Sequence, residues 1–311
     1  MSGLGIAAGL ATAVLWTATA ICFEAAIRRI GSVAVNVLRM LVAALLFMGL
    51  SLLRTGHLGP QGLAPFMWRD LILSGLVGFA MADLMLFQAV ALIGARLSML
   101  IYASVPTMTA IAGYLFLGER IGGTGILGML VTAAGIGAAI VAKEEKRSNV
   151  AASLTTGILL AVGGAAGQSA GLLLGKHGAN NMDAFAATEV RVLAGLTGFG
   201  LVVIFGRQLA NIRTTLGNAF VPRQQSNPLV TRAARVALLA LTVGALLGPF
   251  LGVSLGLLSA QLLPAGIAST LMSIVPVLLI PVSVVAFRER VNWVEISGTL
   301  VALVGVALLT I

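Results

Sequence analysis

The chain has 311 residues, of which 59% are apolar and 9% charged, and its mean hydropathy is +1.07. That balance lies far outside the range of a soluble domain and fits a chain that crosses a bilayer repeatedly. The net charge of +9 resides largely between apolar stretches, where it suits anionic lipid head groups and excludes a nucleic-acid reading.

Ten apolar stretches follow one another, each close to the ~20 residues that a membrane-crossing helix needs: roughly 4–23, 33–53, 71–91, 97–117, 122–142, 154–174, 184–205, 236–258, 266–287 and 292–311. They are continuously apolar and lack period-two alternation, so helices are predicted and a barrel is excluded. The first holds Leu15-Trp16 and Glu24, has no basic leader, and is read as a retained helix. Leu38-Arg39-Met40-Leu41 opens the second, the third carries Asp83 and Gln88, and the fourth carries Tyr102 and Pro106. Gly122-Gly123 begins the fifth as packing residues. The sixth has Gly163, Gly167, Gly171 and Gly175 with Gln168 among them, and the seventh has Glu189 and Arg191. After an Arg-rich connection at 206–235, the eighth repeats the fourfold spacing at Gly244, Gly248, Gly252 and Gly256, with Gln261 beyond it; Pro276 lies in the ninth. Residues four apart share a helix face, so both glycine ridges predict close helix packing, within the monomer or at a homodimer seam.

The chain is similar to itself. At an offset of 170 residues, Val105-Pro106 and Gly118-Glu119-Arg120 recur as Val275-Pro276 and Arg288-Glu289-Arg290. At an offset of 152, Trp16 matches Gln168, Glu24 matches Lys176, and Arg39 matches Arg191. The difference, 18 residues, falls in the 206–235 connection, so each half holds five helices, 1–148 and 149–311. Five is odd, and the second half therefore enters the membrane inverted. The expected fold is an all-α membrane protein of ten transmembrane helices in two inverted five-helix repeats, an arrangement of secondary transporters that alternate access around a site at the midplane.

In its order of motifs the chain resembles, over nearly its whole length, the EamA-type branch of the drug/metabolite transporter superfamily. The resemblance rests on Leu15-Trp16, Leu38-Arg39-Met40-Leu41, Tyr102 to Pro106, Leu115 to Arg120, and the second-half copies, with Arg288 where the family usually has Gly. It implies an inner-membrane carrier of small metabolites, often an exporter of amino acids or similar compounds, with a cavity lined by the first, third and fourth helices and their repeat partners. Trp16 and Tyr102 match cavity-facing family positions, whereas Gln168 replaces the aromatic residue in the second half.

Polar groups inside the apolar stretches need a reason, because a charge at the bilayer centre costs roughly 2.5–3.5 kcal/mol even on insertion scales. Asp83 sits mid-stretch, and its repeat partner is Val253. An acid there can carry a coupling proton, hold a substrate ammonium, or tie helices together. Gln88, Gln168 and Gln261 join Trp16 and Tyr102 as cavity candidates. The first hairpin is expected to pair Glu24 with Arg39 across its turn, and the second to pair Glu189 with Lys176 or Arg191, as register pins or as a gate. Pro106 and Pro276 are expected to kink their helices as repeat-related hinges.

His57, His177 and Cys22 compose no metal or nucleophile constellation, and no phosphate-binding loop is present, so neither an enzyme nor a cofactor is expected. Lys and Arg are concentrated in connections after odd-numbered stretches, among them Arg28, Arg29, Arg96, Lys146, Arg147, Arg207, Arg213 and Arg223, against Arg54, Arg69, Arg120 and Lys176 opposite. The positive-inside rule then places both termini outside, contrary to the family's habit. The expected partners are a small-molecule substrate, membrane lipids and protons as coupling ion. The rival readings are a lipid flippase, a multidrug exporter and a membrane scaffold.

Overall fold

Long apolar runs bury their backbone polar groups most completely as helices. The computed structural model, which describes residues 2–117, 123–144, 151–179, 182–205, 228–263, 265–287 and 293–308, is accordingly helical and has no strand among them. The elements are α1 (Gly3–Ile30), α2 (Ser32–Thr55), α3 (Pro65–Gly75), α4 (Ala82–Ile93), α5 (Ala95–Tyr102), α6 (Val105–Leu117), α7 (Gly123–Glu144), α8 (Ala151–Gly178), α9 (Ala184–Phe205), α10 (Pro228–Ala245), α11 (Val253–Leu262), α12 (Ala265–Met272), α13 (Val275–Phe287) and α14 (Trp293–Leu308). A π-helical turn, Leu76–Met81, fuses α3 to α4, and another, Leu246–Gly252, fuses α10 to α11. Six spans are long and apolar enough to cross a membrane: Gly3–Ile30, Ser32–Thr55, Pro65–Ile93, Ser153–Gly178, Ala184–Phe205 and Ala234–Leu262. Shorter apolar helices accompany them at Leu97–Ala112, Gly123–Ile136, Ala268–Val282 and Ile296–Leu308.

Two tight turns set the first half's layout. Gly31 and Gly94 adopt φ of 81° and 82°, a region that a Cβ disfavours, and each lets the chain reverse within one residue between α1 and α2 or between α4 and α5. The two motif prolines act differently from the expectation of mid-helix kinks. Each stands second in a new helix, Pro106 in α6 and Pro276 in α13, after turns at Ala103–Ser104 and Ser273–Ile274. In the first turn of a helix the missing N–H breaks no bond, so the prolines start segments and do not bend one.

Both glycine ridges face inward. A Cβ on Gly171 would sit 2.7 Å from the Gly78 Cα, and one on Gly167 would sit 2.8 Å from Ala82 Cβ, so α8 lies directly against the α3–α4 span. The second ridge receives α1: Gly244 meets Phe23, Gly248 meets Thr19, and Gly252 meets Trp16. These are equivalent contacts, because α8 and α1 begin the two halves while the receiving spans are third in each. A reciprocal pair joins the ends of the halves, where Gly135 of α7 packs against Ala302 of α14 and Gly305 of α14 packs against Thr132 of α7. The offset of 170 is thus legible in contacts as well as letters. The Gly118-Glu119-Arg120 and Arg288-Glu289-Arg290 motifs, Gly122, Lys146, Arg147 and the connection from 206 to 227 lie outside the described residues.

Candidate functional site

Two adjoining cavities of about 70 Å³ and 40 Å³ lie inside the bundle, and Trp16, Met99, Tyr102 and Gln168 line both. The larger runs from these residues along Phe23 and Ile27 of α1, Asp83, Phe87 and Val90 of α4, and Pro249 and Val253 of the second fused span. Ile27, Val90 and Met99 lie near the Gly31 and Gly94 turns, so the cavity is displaced toward that end of the bundle. The smaller cavity sits where the α5–α6 and α12–α13 breaks meet, lined by Ala103, Ser269 and Ser273.

The polar centre is an ion pair between Arg39 Nη2 and Asp83 Oδ2, both buried and both on the cavity wall. Three further contacts hold Arg39. Its Nε donates to Asn36 Oδ1 at 3.0 Å, and its guanidinium lies 4.5 Å from the Phe87 ring centroid and 5.5 Å from that of Phe23. Those two rings contact each other at 5.3 Å. Phe79, Asp83 and Phe87 are spaced by four, so one helical face presents ring, carboxylate, ring. A buried pair of this kind is favourable only with such supporting contacts, since desolvation of each ion costs several kcal/mol.

Arg191, the repeat counterpart of Arg39, is also fully enclosed. Its Nε donates to Ser74 Oγ at 2.8 Å, Ser74 Oγ in turn donates to the Gly171 carbonyl at 2.6 Å, and the guanidinium lies 5.0 Å from the Phe79 centroid. No carboxylate pairs with it among the described residues. Phe79 stands between Arg191 and the larger cavity, of which it forms part of the wall.

The expected hairpin ion pairs are not those formed. Glu24 pairs with Arg28 at 2.6 Å, one helical turn away, and leaves Arg39 to Asp83. The i, i+4 geometry brings Glu24 and Arg28 together without any tertiary requirement. Glu189 pairs with neither Lys176 nor Arg191. Residues two apart point to opposite sides of a helix, so Glu189 faces Gly59 while Arg191 faces Ser74 and Phe79. Glu189 is buried with its Oε1 unbonded, and Lys176 Nζ donates to the Leu263 carbonyl at 3.4 Å.

Of the cavity candidates, Trp16, Asp83, Tyr102 and Gln168 come together, whereas Gln88 lies on neither cavity and Gln261 does something else. Gln261 Nε2 donates to the carbonyls of Ala179 at 2.8 Å and Met182 at 3.0 Å, clipping the end of the eighth predicted stretch to the α8–α9 turn. At that same end, opposite the Gly31 and Gly94 turns, His177 Nδ1 lies 2.5 Å from Asp70 Oδ2 and Ser259 Oγ donates to the Gly5 carbonyl at 2.9 Å. Each of these bonds joins one half of the chain to the other or one helix end to the next. Sequence reasoning missed the wall residues Phe23, Phe79 and Phe87 and the supports Asn36 and Ser74. The spacing of Phe79 and Phe87 about Asp83 is the signal that marks them.

A bundle of membrane-length apolar helices around a partly polar central cavity defines a multi-pass membrane protein built to handle a small molecule. The EamA-like transporter family model matches residues 3–141 and again 155–311, and the chain belongs to that family, whose members transport small molecules across membranes. A solved crystal structure of a protein is similar over 99% of this chain and 96% of its own, with a TM-score of 0.65 at 16% identity, a likeness of fold alone. No curated protein matches the sequence.

Proposed function

We propose that the chain is a secondary carrier that moves a small, amino-acid-like metabolite across the cell inner membrane by alternating access, as an exporter or exchanger. Ten crossing helices arranged as inverted repeats, 1–148 and 149–311, would supply the two rocking bodies. One observation carries the reading: the cavity between the halves is displaced toward one end, while bonds between distant segments, Asp70 to His177, Gln261 to Ala179 and Met182, and Ser259 to Gly5, close the other. That asymmetry suits one half-cycle of a carrier.

The Lys and Arg count supports a cytoplasmic location for the Gly31 and Gly94 end, so the cavity would load from the cytoplasm and both termini would lie outside. Arg39 and Arg191 are enclosed in the bundle and do not face lipid, which favours a soluble metabolite over a lipid head group. Asp83 is the candidate coupling carboxylate, able to take a proton when its bond to Arg39 opens. Purified protein in proteoliposomes, tested for uptake and efflux of amino acids, organic acids, amines and fluorescent lipids, examines the proposal. Movement of a small metabolite that saturates with concentration is expected; movement of lipid alone would reject it in favour of a flippase.

A further inference from the structure

Resting on the carrier reading, we infer that the group the central site recognises is a carboxylate, and that its ligand is a small organic acid carried on a compact apolar body, with or without an amine.

Hydrogen-bonding capacity on the cavity wall is unequally divided between donors and acceptors. Trp16 Nε1, the Tyr102 hydroxyl and the Gln168 amide line both cavities and have no protein partner among the described residues. The Thr19 hydroxyl on the same wall is buried and unbonded. Arg39 uses its Nε for Asn36 and Nη2 for Asp83, which leaves three of a guanidinium's five N–H groups without a protein acceptor. The hydroxyls and the Gln168 amide can accept as well as donate, but Trp16 Nε1 and the three remaining Arg39 N–H groups can only donate, so the wall has more donor-only groups than free acceptors to meet them. Its one ionised acceptor, Asp83, is already bonded to Arg39.

Charge gives the same answer independently. Among the described residues around the cavity wall, two guanidiniums, Arg39 and Arg191, are buried with one carboxylate, Asp83, which is paired with Arg39. Glu189 is turned away toward Gly59 at the closed end. An ammonium entering this cavity would meet a net positive centre and find its natural partner engaged. A carboxylate would satisfy the free donors and offset the net positive charge of the centre, and a planar anion suits the forked Arg39. The rest of the wall is aromatic and aliphatic, with Phe23, Phe79, Phe87, Met99 and Val253 forming a sleeve for a hydrocarbon body. At about 70 Å³ and 40 Å³ the two spaces admit a compact molecule, not an extended one.

Three probes with one branched body separate the groups: valine, isovalerate, which lacks the amine, and isobutylamine, which lacks the carboxylate. Binding to purified full-length protein in detergent is read by calorimetry and by fluorescence, with Trp16→Phe identifying the Trp16 contribution. Isovalerate and valine are expected to bind, and isobutylamine at least ~10-fold more weakly. The double variant Arg39→Gln/Asp83→Asn, which removes both charges together and strands neither partner of the pair, is expected to lose isovalerate binding at least ~10-fold while eluting as the parent does. Gln168→Leu, a site change that touches neither ion, is expected to weaken isovalerate several-fold. Isobutylamine binding as tightly as isovalerate, no isovalerate binding to folded protein, or undiminished binding by both variants would overturn the inference. Vesicle flux of the same probes separates the two ideas. Isovalerate that binds but is never moved refutes the carrier reading and leaves the carboxylate site standing, whereas saturable flux of isobutylamine alone does the reverse.

Discussion

Replacing Gly171 by alanine tests the contact on which the two halves meet. The added methyl would stand 2.7 Å from the Gly78 Cα, 3.1 Å from the Gly78 N and 3.3 Å from the Ser74 carbonyl oxygen. All three neighbours are backbone, so no side chain can rotate away. Overpacking of this kind costs roughly 1–3 kcal/mol, offset by up to ~1 kcal/mol from alanine's better helix propensity, leaving a net loss of about 1–2 kcal/mol. Gly49→Ala provides the control, because no atom lies within 4 Å of the position its Cβ would take. There the propensity gain stands alone, and stability should hold or rise. Thermal unfolding in detergent, followed by loss of the monodisperse chromatographic peak, ranks the two variants. Equal stability of Gly171→Ala and Gly49→Ala would refute the backbone-to-backbone contact between α8 and the π-helical turn.

Two further predictions concern polar contacts and a third the orientation in the membrane. Asp83→Asn and Arg39→Gln each strand a buried ion and should each lower stability by about 3–5 kcal/mol, whereas the double variant should recover most of the loss; an additive double-mutant cycle by denaturant unfolding would contradict the pair. Gln261→Ala removes two hydrogen bonds at the closed end and should cost about 1–3 kcal/mol. It should also raise the labelling of a cysteine placed at Leu263; unchanged labelling speaks against a clip. A reporter active only in the cytoplasm, fused after Ile311, should stay dark if both termini lie outside, and a signal there would reverse the orientation.

Much of the architecture was written locally and could be read. Apolar length marks the six membrane-length spans, and the fourfold glycine spacing marks the faces that pack, because each depends on residues close along one helix; the offset of 170 agrees with the two family matches. The site was harder. Arg39 and Asp83 are 44 positions apart, and their pairing depends on how α2 and α4 rotate against each other, which no spacing specifies. Hairpin symmetry suggested Glu24 for Arg39, but a one-turn partner, Arg28, was already in reach. Gln261 looked like a cavity residue because an amide in an apolar stretch needs partners; it finds them in two carbonyls at a helix end. The glycine ridges could have been a dimer seam, and the space over them is taken by the chain's own α1 and α3–α4 span.

In the proposed cycle one cavity between the halves opens to each side of the membrane in turn. A single cysteine at Met99, which lines both central spaces, tests it in protein whose Cys22 is replaced by alanine. Reconstituted vesicles of each orientation are exposed to a membrane-impermeant thiol reagent, with and without an added disulfide between cysteines at Asp70 and His177 that locks the closed end. Labelling from both faces without the lock, and from the Gly31 and Gly94 face alone with it, is the predicted result. Labelling from a single face whether or not the lock is formed would contradict alternating access.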